Sequence, residues 1–183
     1  MTATAMQPTT PEAARRRRTA LVTGASSGIG AAFASRLAAD GFDLILTARR
    51  LERLEAMAAR LRDEAHIAAT VLVADLTNAA DLLRVERAIE DCPTLEYLIN
   101  CAGVAGYMPF VDLPPDQATT MIGLHIVAPT RLTRAALPGM IAHAGGVIIN
   151  VSSGLSFSGS LPSPPLPRRA VYAGAKAYIN TFT

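Results

Sequence analysis

The chain has 183 residues, of which 50% are hydrophobic and 17% are charged, and its formal net charge is +2. This length favours a single domain, and the apolar content suffices for a well-packed core. The two cysteines, Cys92 and Cys101, provide neither a disulfide framework nor the spacing of a metal site, so we expect a reducing, cytoplasmic location and no bound metal. Every apolar stretch is interrupted before it reaches membrane-spanning length, so we expect no membrane-embedded segment.

Positive charge is concentrated near the N-terminus, where residues 15–18 are four consecutive arginines. Such a run occurs in nuclear-localisation signals and in nucleic-acid-binding patches. Here no aromatic or patterned residues accompany the arginines, which favours a solvated tail. We therefore interpret residues 1–18 as a disordered basic tail and expect no nucleic-acid partner. The tail lacks the apolar region of a secretory signal, and Glu12 and the prolines argue against a transit peptide.

After the tail, short apolar runs alternate with segments of helical periodicity. In chain order they predict a strand at 19–23, a helix at 29–39 ended by Gly41, a strand at 44–48, a helix at 51–64, a strand at 70–74, a helix at 78–91 capped by Asn78 and a strand at 95–100. There follow a long helix at 116–143 bent or ended by Pro129 and Pro138, a strand at 147–151, a loop rich in Ser, Pro and Gly at 156–167, and a last helix from Tyr172 to Thr183. This alternation predicts an α/β fold with a doubly wound parallel sheet, Rossmann-like, over residues 19–183.

The turn between the first strand and the first helix is rich in glycine. Gly24 permits a sharp turn out of the strand, Gly28 a close approach to a pyrophosphate, and Gly30 tight packing of the helix on the strand. The helix N-terminus also offers free N–H groups and a positive dipole end to phosphates. We therefore predict a dinucleotide-binding loop formed by Thr23, Gly24, Ser26, Ser27, Gly28, Ile29 and Gly30.

Two alternatives exist for this loop. Residues 24–28 also match the G-x-S-x-G elbow of serine hydrolases, which sits between a strand and a helix. That elbow needs an oxyanion donor from an earlier strand–helix loop, and no strand precedes the first one here, so the hydrolase interpretation is disfavoured. The other alternative is a glycine-rich turn that binds no ligand.

The end of the second predicted strand indicates which dinucleotide would bind. NAD-binding folds place an acidic residue there to hold the ribose hydroxyls. This chain has Ala48 followed by Arg49 and Arg50. Two guanidinium groups suit a 2′-phosphate by charge and by bidentate hydrogen bonding, so we predict that NADP(H) is preferred over NAD(H), with Arg49 the stronger candidate. The alternative is that both arginines only begin a charged helix.

In five places the sequence resembles the short-chain dehydrogenase/reductase family of the classical type. Thr23-Gly24 with Gly28 and Gly30 resembles its TGxxxGxG loop, and Tyr172-Ala173-Gly174-Ala175-Lys176 resembles its YxxxK motif. Between these lie matches to its adenine-contacting acid, its NNAG motif and its active-site serine segment. The resemblance implies further cofactor-binding residues at Asp75, Leu76, Asn100, Ala102 and Gly103, with Cys101 in place of the second motif Asn, and a catalytic Ser153.

The resemblance implies hydride transfer between a nicotinamide cofactor and a small carbonyl or alcohol substrate. Tyr172 and Lys176 are four residues apart and therefore share one face of a helix. A nearby ammonium stabilises a phenolate, which makes a tyrosine a better acid–base group near neutral pH. In this scheme Ser153 holds the substrate oxygen, Tyr172 exchanges the proton, and Lys176 also binds the nicotinamide ribose. The family resemblance further implies that full-length relatives are homo-oligomers.

Three departures from the family pattern are visible. The family's asparagine in the long helix, which supports a proton-relaying water, corresponds here to His125; a buried histidine with a satisfied structural role is an equally good interpretation. The segment between Ser153 and Tyr172 is about six residues longer than in the family, with 158–163 as the expected insertion. Only five strands are present, so we expect a domain that is incomplete at its C-terminus. The rival to an active enzyme is therefore a truncated, catalytically inactive nucleotide-binding remnant.

Overall fold

A computed structural model of the chain describes residues 18–105, 108–160 and 169–183. The predicted basic tail up to residue 17 and residues 161–167 of the predicted loop lie outside the described residues. Residues 161–163 of the expected insertion at 158–163 lie outside them as well. Arg18, by contrast, contacts the folded domain: its guanidinium lies 4.1 Å from the centre of the Phe42 ring and 3.7 Å from the Glu96 carboxylate.

The described strands form one parallel sheet with the order β3-β2-β1-β4-β5. Their bounds are β1 Thr19–Thr23, β2 Asp43–Ala48, β3 Ala69–Val73, β4 Leu95–Asn100 and β5 Val147–Asn150. The order reverses between β1 and β4, which creates the crevice where ligands bind in open α/β sheets. The predicted doubly wound, Rossmann-like fold is therefore confirmed.

Six α-helices connect and cover these strands in the described part of the chain. They are α1 Gly28–Ala39, α2 Leu51–Ala65, α3 Ala79–Glu90, α4 Pro115–Ile122, α5 Ala128–Ala142 and α6 Ala170–Phe182, with short 3₁₀ turns at Phe110–Asp112 and Gly154–Ser160. The predicted cap is confirmed, since the Asn78 side chain accepts hydrogen bonds from two backbone N–H groups of α3. Gly41 follows α1 with a φ of 79°, the left-handed conformation that ends helices.

The predicted long helix at 116–143 is divided at a different place from the one we expected. Both Pro129 and Pro138 lie inside α5, and the irregularity is a π-helical turn at Gly123–Val127. In this turn the Ala128 N–H bonds to the Gly123 carbonyl, five residues back. Pro129 has no N–H to continue the regular pattern and its ring crowds the preceding turn, so a wider turn before it accommodates the proline. The last helix begins at Ala170, two residues before the predicted start.

Two apolar layers hold the helices on the sheet. Alternate residues of β1 point into opposite layers: Ala20 and Val22 pack with α1 and α2, while Leu21 packs with α3 and α5. On the second face a carboxylate–guanidinium pair joins α3 to α5, because Arg131 donates two hydrogen bonds of 2.6 Å to the buried Glu86. The pair therefore ties together the two helices that cover this face of the sheet.

Candidate active site

The carboxyl ends of the strands open onto a cleft with a volume of about 510 Å³. It collects residues from the first turn, the end of β2, the end of β3, the segment after β4 and helix α6. Of the residues predicted from the sequence, thirteen line it: Gly24, Ser26, Ser27, Ile29, Gly30, Arg49, Arg50, Asp75, Leu76, Ala102, Gly103, Tyr172 and Lys176. Four predicted residues are not among the residues that line it: Thr23, Gly28, Asn100 and Ser153.

The three glycines of the loop occupy backbone positions that favour glycine. Gly24 has a φ of 68°, and a Cβ there would lie 2.9 Å from the Ala102 Cα, so a larger residue would push against the β4 segment. A Cβ on Gly30 would collide with the Gly24 carbonyl, which is the close helix–strand packing expected for the third glycine. Gly28 has a φ of 57° and faces open space, which leaves room for a group to approach its backbone.

Thr23, predicted as a cofactor-binding residue, is 1% exposed, and its hydroxyl bonds to the neighbouring strand and the segment after it. Its hydroxyl donates to the Ile99 carbonyl at 3.2 Å and accepts from the N–H groups of Cys101 and Ala102 at 2.9 and 3.0 Å. These bonds fix the chain where it leaves β4 and enters the cleft. Thr23 therefore shapes the cleft wall from behind.

The two arginines after β2 are held differently. The Arg50 guanidinium donates to the hydroxyls of Ser26 and Ser27 at 2.9 and 2.8 Å, so it lies directly on the glycine loop. Arg49 lies 3.8 Å from the Asp75 carboxylate at the end of β3. The pKa of Asp75 is lowered chiefly by a hydrogen bond from the Thr77 hydroxyl, against an opposing effect of partial burial, with smaller lowering contributions from the Thr77 N–H and from Arg49.

Helix α6 brings Tyr172 and Lys176 to the cleft from the opposite side. Lys176 is 6% exposed, and its Nζ donates to the Val151 carbonyl at 2.7 Å and lies 5.8 Å from the centre of the Tyr172 ring. Burial lowers the pKa of Lys176, with a smaller opposing influence from Cys101. A nearby positive charge stabilises a phenolate, so this arrangement suits acid–base work by a tyrosine.

Ser153 lies in the segment that follows β5, immediately before the 3₁₀ turn. Its Oγ accepts the Leu155 N–H at 3.2 Å. The adjacent Ser152 lines the cleft, although its Oγ is occupied in a bond of 3.0 Å to the Lys176 carbonyl. The assignment of Ser153 as the serine that holds the substrate therefore stays a prediction.

His125 lies in the π-helical turn against the edge of the same cleft. Its ring meets the Tyr172 ring edge-on, with 5.3 Å between the ring centres, and a Cβ on Gly103 would lie 2.7 Å from the imidazole. Its Nε2 lies 2.8 Å from the Val104 carbonyl oxygen and 3.3 Å from the Val104 amide nitrogen. The pKa of His125 is lowered chiefly by burial and also by the charge on Lys176, against the raising effect of the Val104 hydrogen bond.

Sequence reasoning missed several wall residues: Thr47, Ala48, Ala74, Thr77, Val104, Ala105, Thr120, Leu124, Val151 and Ser152. Most of them follow directly from a strand end, so the rule that ligands lie beyond the carboxyl ends of parallel strands would have found them. Thr120 and Leu124 carry no such signal, because they reach the cleft from α4 and the π-helical turn. Cys101, noted only as a departure from the NNAG pattern, also lines the cleft, where burial raises its pKa.

A reversing parallel sheet with a cleft over its strand ends defines a doubly wound α/β protein, whose ligand site lies beyond the carboxyl ends of the strands. The short chain dehydrogenase family matches residues 18–183, and the chain belongs to this family. The resemblance seen in the sequence is thus confirmed.

The known relatives of this chain are longer proteins, and the chain matches only part of each. It is 33% identical over 168 residues to the very-long-chain 3-oxoacyl-CoA reductase of Anas platyrhynchos, covering 90% of this chain and 52% of that protein. It is 31% identical over 169 residues to the inactive hydroxysteroid dehydrogenase-like protein 1 of Homo sapiens, covering 91% and 49%. The solved structure of the short-chain dehydrogenase from Sphingobium yanoikuyae in complex with NADPH matches with a TM-score of 0.84 at 39% identity, covering 90% and 62%. The chain thus spans about half the length of these curated relatives.

Two further features bear on the site. Among the residues described, no helix is both long enough and apolar enough to cross a membrane. Within the same residues, no cluster of three or more His, Cys, Asp or Glu side chains is arranged to hold a metal ion.

Proposed function

We propose that this protein is an NADP-dependent oxidoreductase that interconverts a carbonyl compound and an alcohol. The observation that carries the proposal is the meeting, in one cleft, of the glycine loop with Tyr172 and the buried Lys176. A nucleotide-binding loop alone would fit many activities, but a phenol beside a buried ammonium at the far end of that cleft favours proton transfer coupled to hydride transfer.

The residues present fit a phosphorylated dinucleotide. Open space beside the Gly28 backbone and the N-terminus of α1 suit a pyrophosphate. Arg49 and Arg50 bring two guanidinium groups to the part of the cleft that follows β2, where Ala48 offers no carboxylate to a ribose. These groups support a preference for NADP(H) over NAD(H), and the relative of known structure that holds NADPH is consistent with that preference.

The chemistry assigned to the chain's own side chains follows from their placement. The cofactor, when bound, supplies or accepts the hydride. Tyr172 donates a proton to the substrate oxygen during reduction and accepts it during oxidation. Lys176 stabilises the phenolate by its charge and contributes to binding of the nicotinamide ribose, and Ser153 orients the substrate oxygen. Homo-oligomeric assembly and a cytoplasmic location stay predictions.

Binding of the two cofactors tests the first half of the proposal. NADPH and NADH are titrated separately into the purified chain while cofactor fluorescence is recorded. We expect tighter binding of NADPH, and we expect Arg49→Ala and Arg50→Ala each to reduce that preference by roughly tenfold to a hundredfold, since a hydrogen bond to a charged group contributes about 1.5–3 kcal/mol. Arg53→Ala is the matched control, because this arginine is exposed on α2 and does not line the cleft.

Measurements of turnover test the second half of the proposal, the interconversion of a carbonyl compound and an alcohol. NADPH oxidation is followed with a panel of small and bulky ketones, and measurable reduction of at least one is expected. Equal affinity for both cofactors in the unsubstituted chain would refute the NADP preference. Tight NADPH binding without turnover of any ketone would favour the rival function, a nucleotide-binding protein without catalysis.

A further inference from the structure

Tyr172 borders a second, much smaller cavity in addition to the main cleft. This cavity, the side pocket, lies between the 3₁₀ turn at Phe110–Asp112, helix α4 and the start of α6, and its volume is about 10 Å³. Arg169 and Tyr172 contribute to its lining together with six apolar residues: Met108, Phe110, Leu113, Met121, Ala170 and Val171. Because Tyr172 lines both cavities, a molecule that contacts its hydroxyl from the main cleft can place one substituent in the side pocket.

The backbone of Leu113 is fixed on both sides. Its N–H bonds to the Phe110 carbonyl at 3.2 Å, which closes the 3₁₀ turn. Pro114 follows, and a residue before proline is confined to extended conformations, as the Leu113 ψ of 116° shows. Helix α4 then begins at Pro115. This wall of the side pocket is therefore formed before any ligand binds.

Helices α4 and α6 supply the other walls. Met121, near the end of α4, is 2% exposed, so the pocket is close-packed on this side. In α6 the Ala173 N–H bonds to the Arg169 carbonyl at 2.7 Å, which closes the first turn where Ala170 and Val171 meet the pocket. The pocket therefore has little room to expand on either helix.

Apolar side chains at the outer rim are exposed to solvent. Phe110 is 63% exposed and Val111 is 89% exposed, and of these two only Phe110 lines the pocket. Large apolar groups left in water beside a cleft are typical of a surface that binds an apolar ligand. The rim and the interior of the side pocket thus favour the same kind of occupant.

The size of the side pocket indicates which apolar group fits. A volume of about 10 Å³ corresponds to about one water-sized sphere, so the pocket admits a group of about the size of a methyl. Apart from Arg169 and Tyr172, the described residues that line it carry apolar side chains. Such a lining suits a methyl group better than a water molecule, which needs several polar partners.

The charge of Arg169 raises the alternative of an anionic occupant. A carboxylate in so small a cavity would lose most of its water. One guanidinium among six apolar residues would replace only part of the hydrogen bonds that the carboxylate makes in water. The lining therefore favours an uncharged apolar group over an anion.

We propose that the side pocket binds a methyl group attached to the carbonyl carbon, so that the substrates are methyl ketones and the corresponding secondary alcohols. The proposal rests on the proposed function, because that function brings the carbonyl oxygen to Tyr172. Tyr172 donates the proton to this oxygen, the carbonyl carbon accepts the hydride of the cofactor, and the larger substituent stays in the main cleft. Leu113 and Ala170 then determine specificity through the size of the pocket.

Three ketones that share a phenyl group test the preference. Phenyl methyl ketone carries the methyl group, phenyl propyl ketone is longer by two methylenes, and phenylglyoxylate has a carboxylate in place of the methyl. Oxidation of NADPH by the purified chain is measured with each. We expect kcat/KM for the methyl ketone to exceed that for the propyl ketone by about tenfold or more, since one methylene in an apolar pocket already changes it by about 10–200-fold. An equal or higher kcat/KM for either of the other ketones would overturn the proposal; for phenylglyoxylate it would assign the pocket to an anion held by Arg169.

Two substitutions change the pocket in opposite directions. Leu113→Ala enlarges it, and we expect the ratio of kcat/KM for the propyl ketone to that for the methyl ketone to rise by about tenfold. Ala170→Leu fills it, so kcat/KM for the methyl ketone should fall by about tenfold, while NADPH binds as before because Ala170 does not line the main cleft. Val111→Ala is the matched control, since this side chain lies outside the pocket and should leave both ratios unchanged. An unchanged ratio in Leu113→Ala would overturn the proposal; if that variant fails to fold, Ala170→Leu decides, because Ala170 is exposed at the start of α6.

Saturation-transfer NMR with phenyl methyl ketone separates this proposal from the proposed function. If the chain binds NADPH and reduces none of the ketones, the proposed function is refuted, and the contact between the ketone and the pocket can still be measured. We expect the methyl protons to receive more saturation from the protein than the ring protons, and this difference to disappear in Ala170→Leu. Equal saturation of the two groups in the unsubstituted chain, or the same pattern in Ala170→Leu, would overturn the assignment of the pocket whether or not turnover is observed.

Discussion

Substitution of Thr23 by valine tests whether this residue shapes the cleft rather than binding the cofactor. Valine has nearly the same shape as threonine, so the change removes the hydroxyl and leaves the packing of β1 against β4 in place. Three backbone groups lose a hydrogen bond: the Ile99 carbonyl and the N–H groups of Cys101 and Ala102. The segment that leaves β4 would then be held less firmly at the cleft wall.

The expected cost follows from the burial of these groups. A buried N–H without a partner costs about 1–3 kcal/mol, and two are orphaned here. Cys101 and Ala102 are half-buried, so water can reach them in part, and we expect the free energy of unfolding to fall by about 2–3 kcal/mol. Thr23→Ser keeps the hydroxyl and loses one buried methyl group, which should cost only about 1 kcal/mol.

Urea unfolding of the three proteins, followed by circular dichroism, provides the measurement. With a denaturant slope of about 1–3 kcal/mol per molar, the midpoint for Thr23→Val should fall by about 0.7–3 M, and that for Thr23→Ser by about half as much or less. NADPH titration of the folded proteins should show weaker binding to the valine variant, because Ala102 lines the cleft. A valine variant as stable as the serine variant would refute the reasoning, since the hydroxyl would then contribute nothing to the fold.

The other predictions concern the reaction, the core and the response to acid. Tyr172→Phe should lower turnover by roughly a hundredfold or more while NADPH still binds, because only the proton donor is lost; near-normal turnover would contradict its role. Glu86→Gln should lower the free energy of unfolding in urea by about 1–3 kcal/mol, since it leaves the half-exposed Arg131 without its charged partner on α3. The pKa of Asp75 is lowered in the folded protein, mainly by the Thr77 hydroxyl, so its contribution to stability is present above about pH 4 and lost as the pH falls below it. Asp75→Asn should therefore lose less stability than the unsubstituted chain between pH 5 and 3, and equal losses would contradict the assignment.

The local sequence is sufficient to predict the strands, the helices and the glycine loop between β1 and α1. A glycine turn between a strand and a helix needs only neighbouring residues, and Gly24, Gly28 and Gly30 have the backbone conformations or close contacts that their spacing predicts. The same holds for the Asn78 cap and for the four-residue spacing that brings Tyr172 and Lys176 to one side of α6. These features depend on interactions over one or two turns of chain, which the sequence displays directly.

The division of the long helix shows where local rules are insufficient. Pro129 and Pro138 both suggest a bend or an end, yet α5 contains both. The wider turn lies just before Pro129, where it brings His125 against the Tyr172 ring and the Val104 carbonyl. A proline signals that the regular hydrogen-bond pattern is broken, but the form of the break depends on what packs against the helix.

The sequence by itself determined the order of strands and helices along the chain, the family, and the glycine loop, the two arginines and Asp75, which meet the cleft after β1, β2 and β3. Only the tertiary structure decided that Thr23 supports the wall of the cleft, that Arg50 lies on the serines of the glycine loop, and that Asn100 bonds to Asn150 on the neighbouring strand. The Thr23 hydroxyl bonds to groups 76 to 79 residues away, and Asn100 bonds to Asn150, 50 residues away. Such partners become neighbours only when β4 pairs with β1 and β5, and no local pattern in the chain records which side chains then face each other.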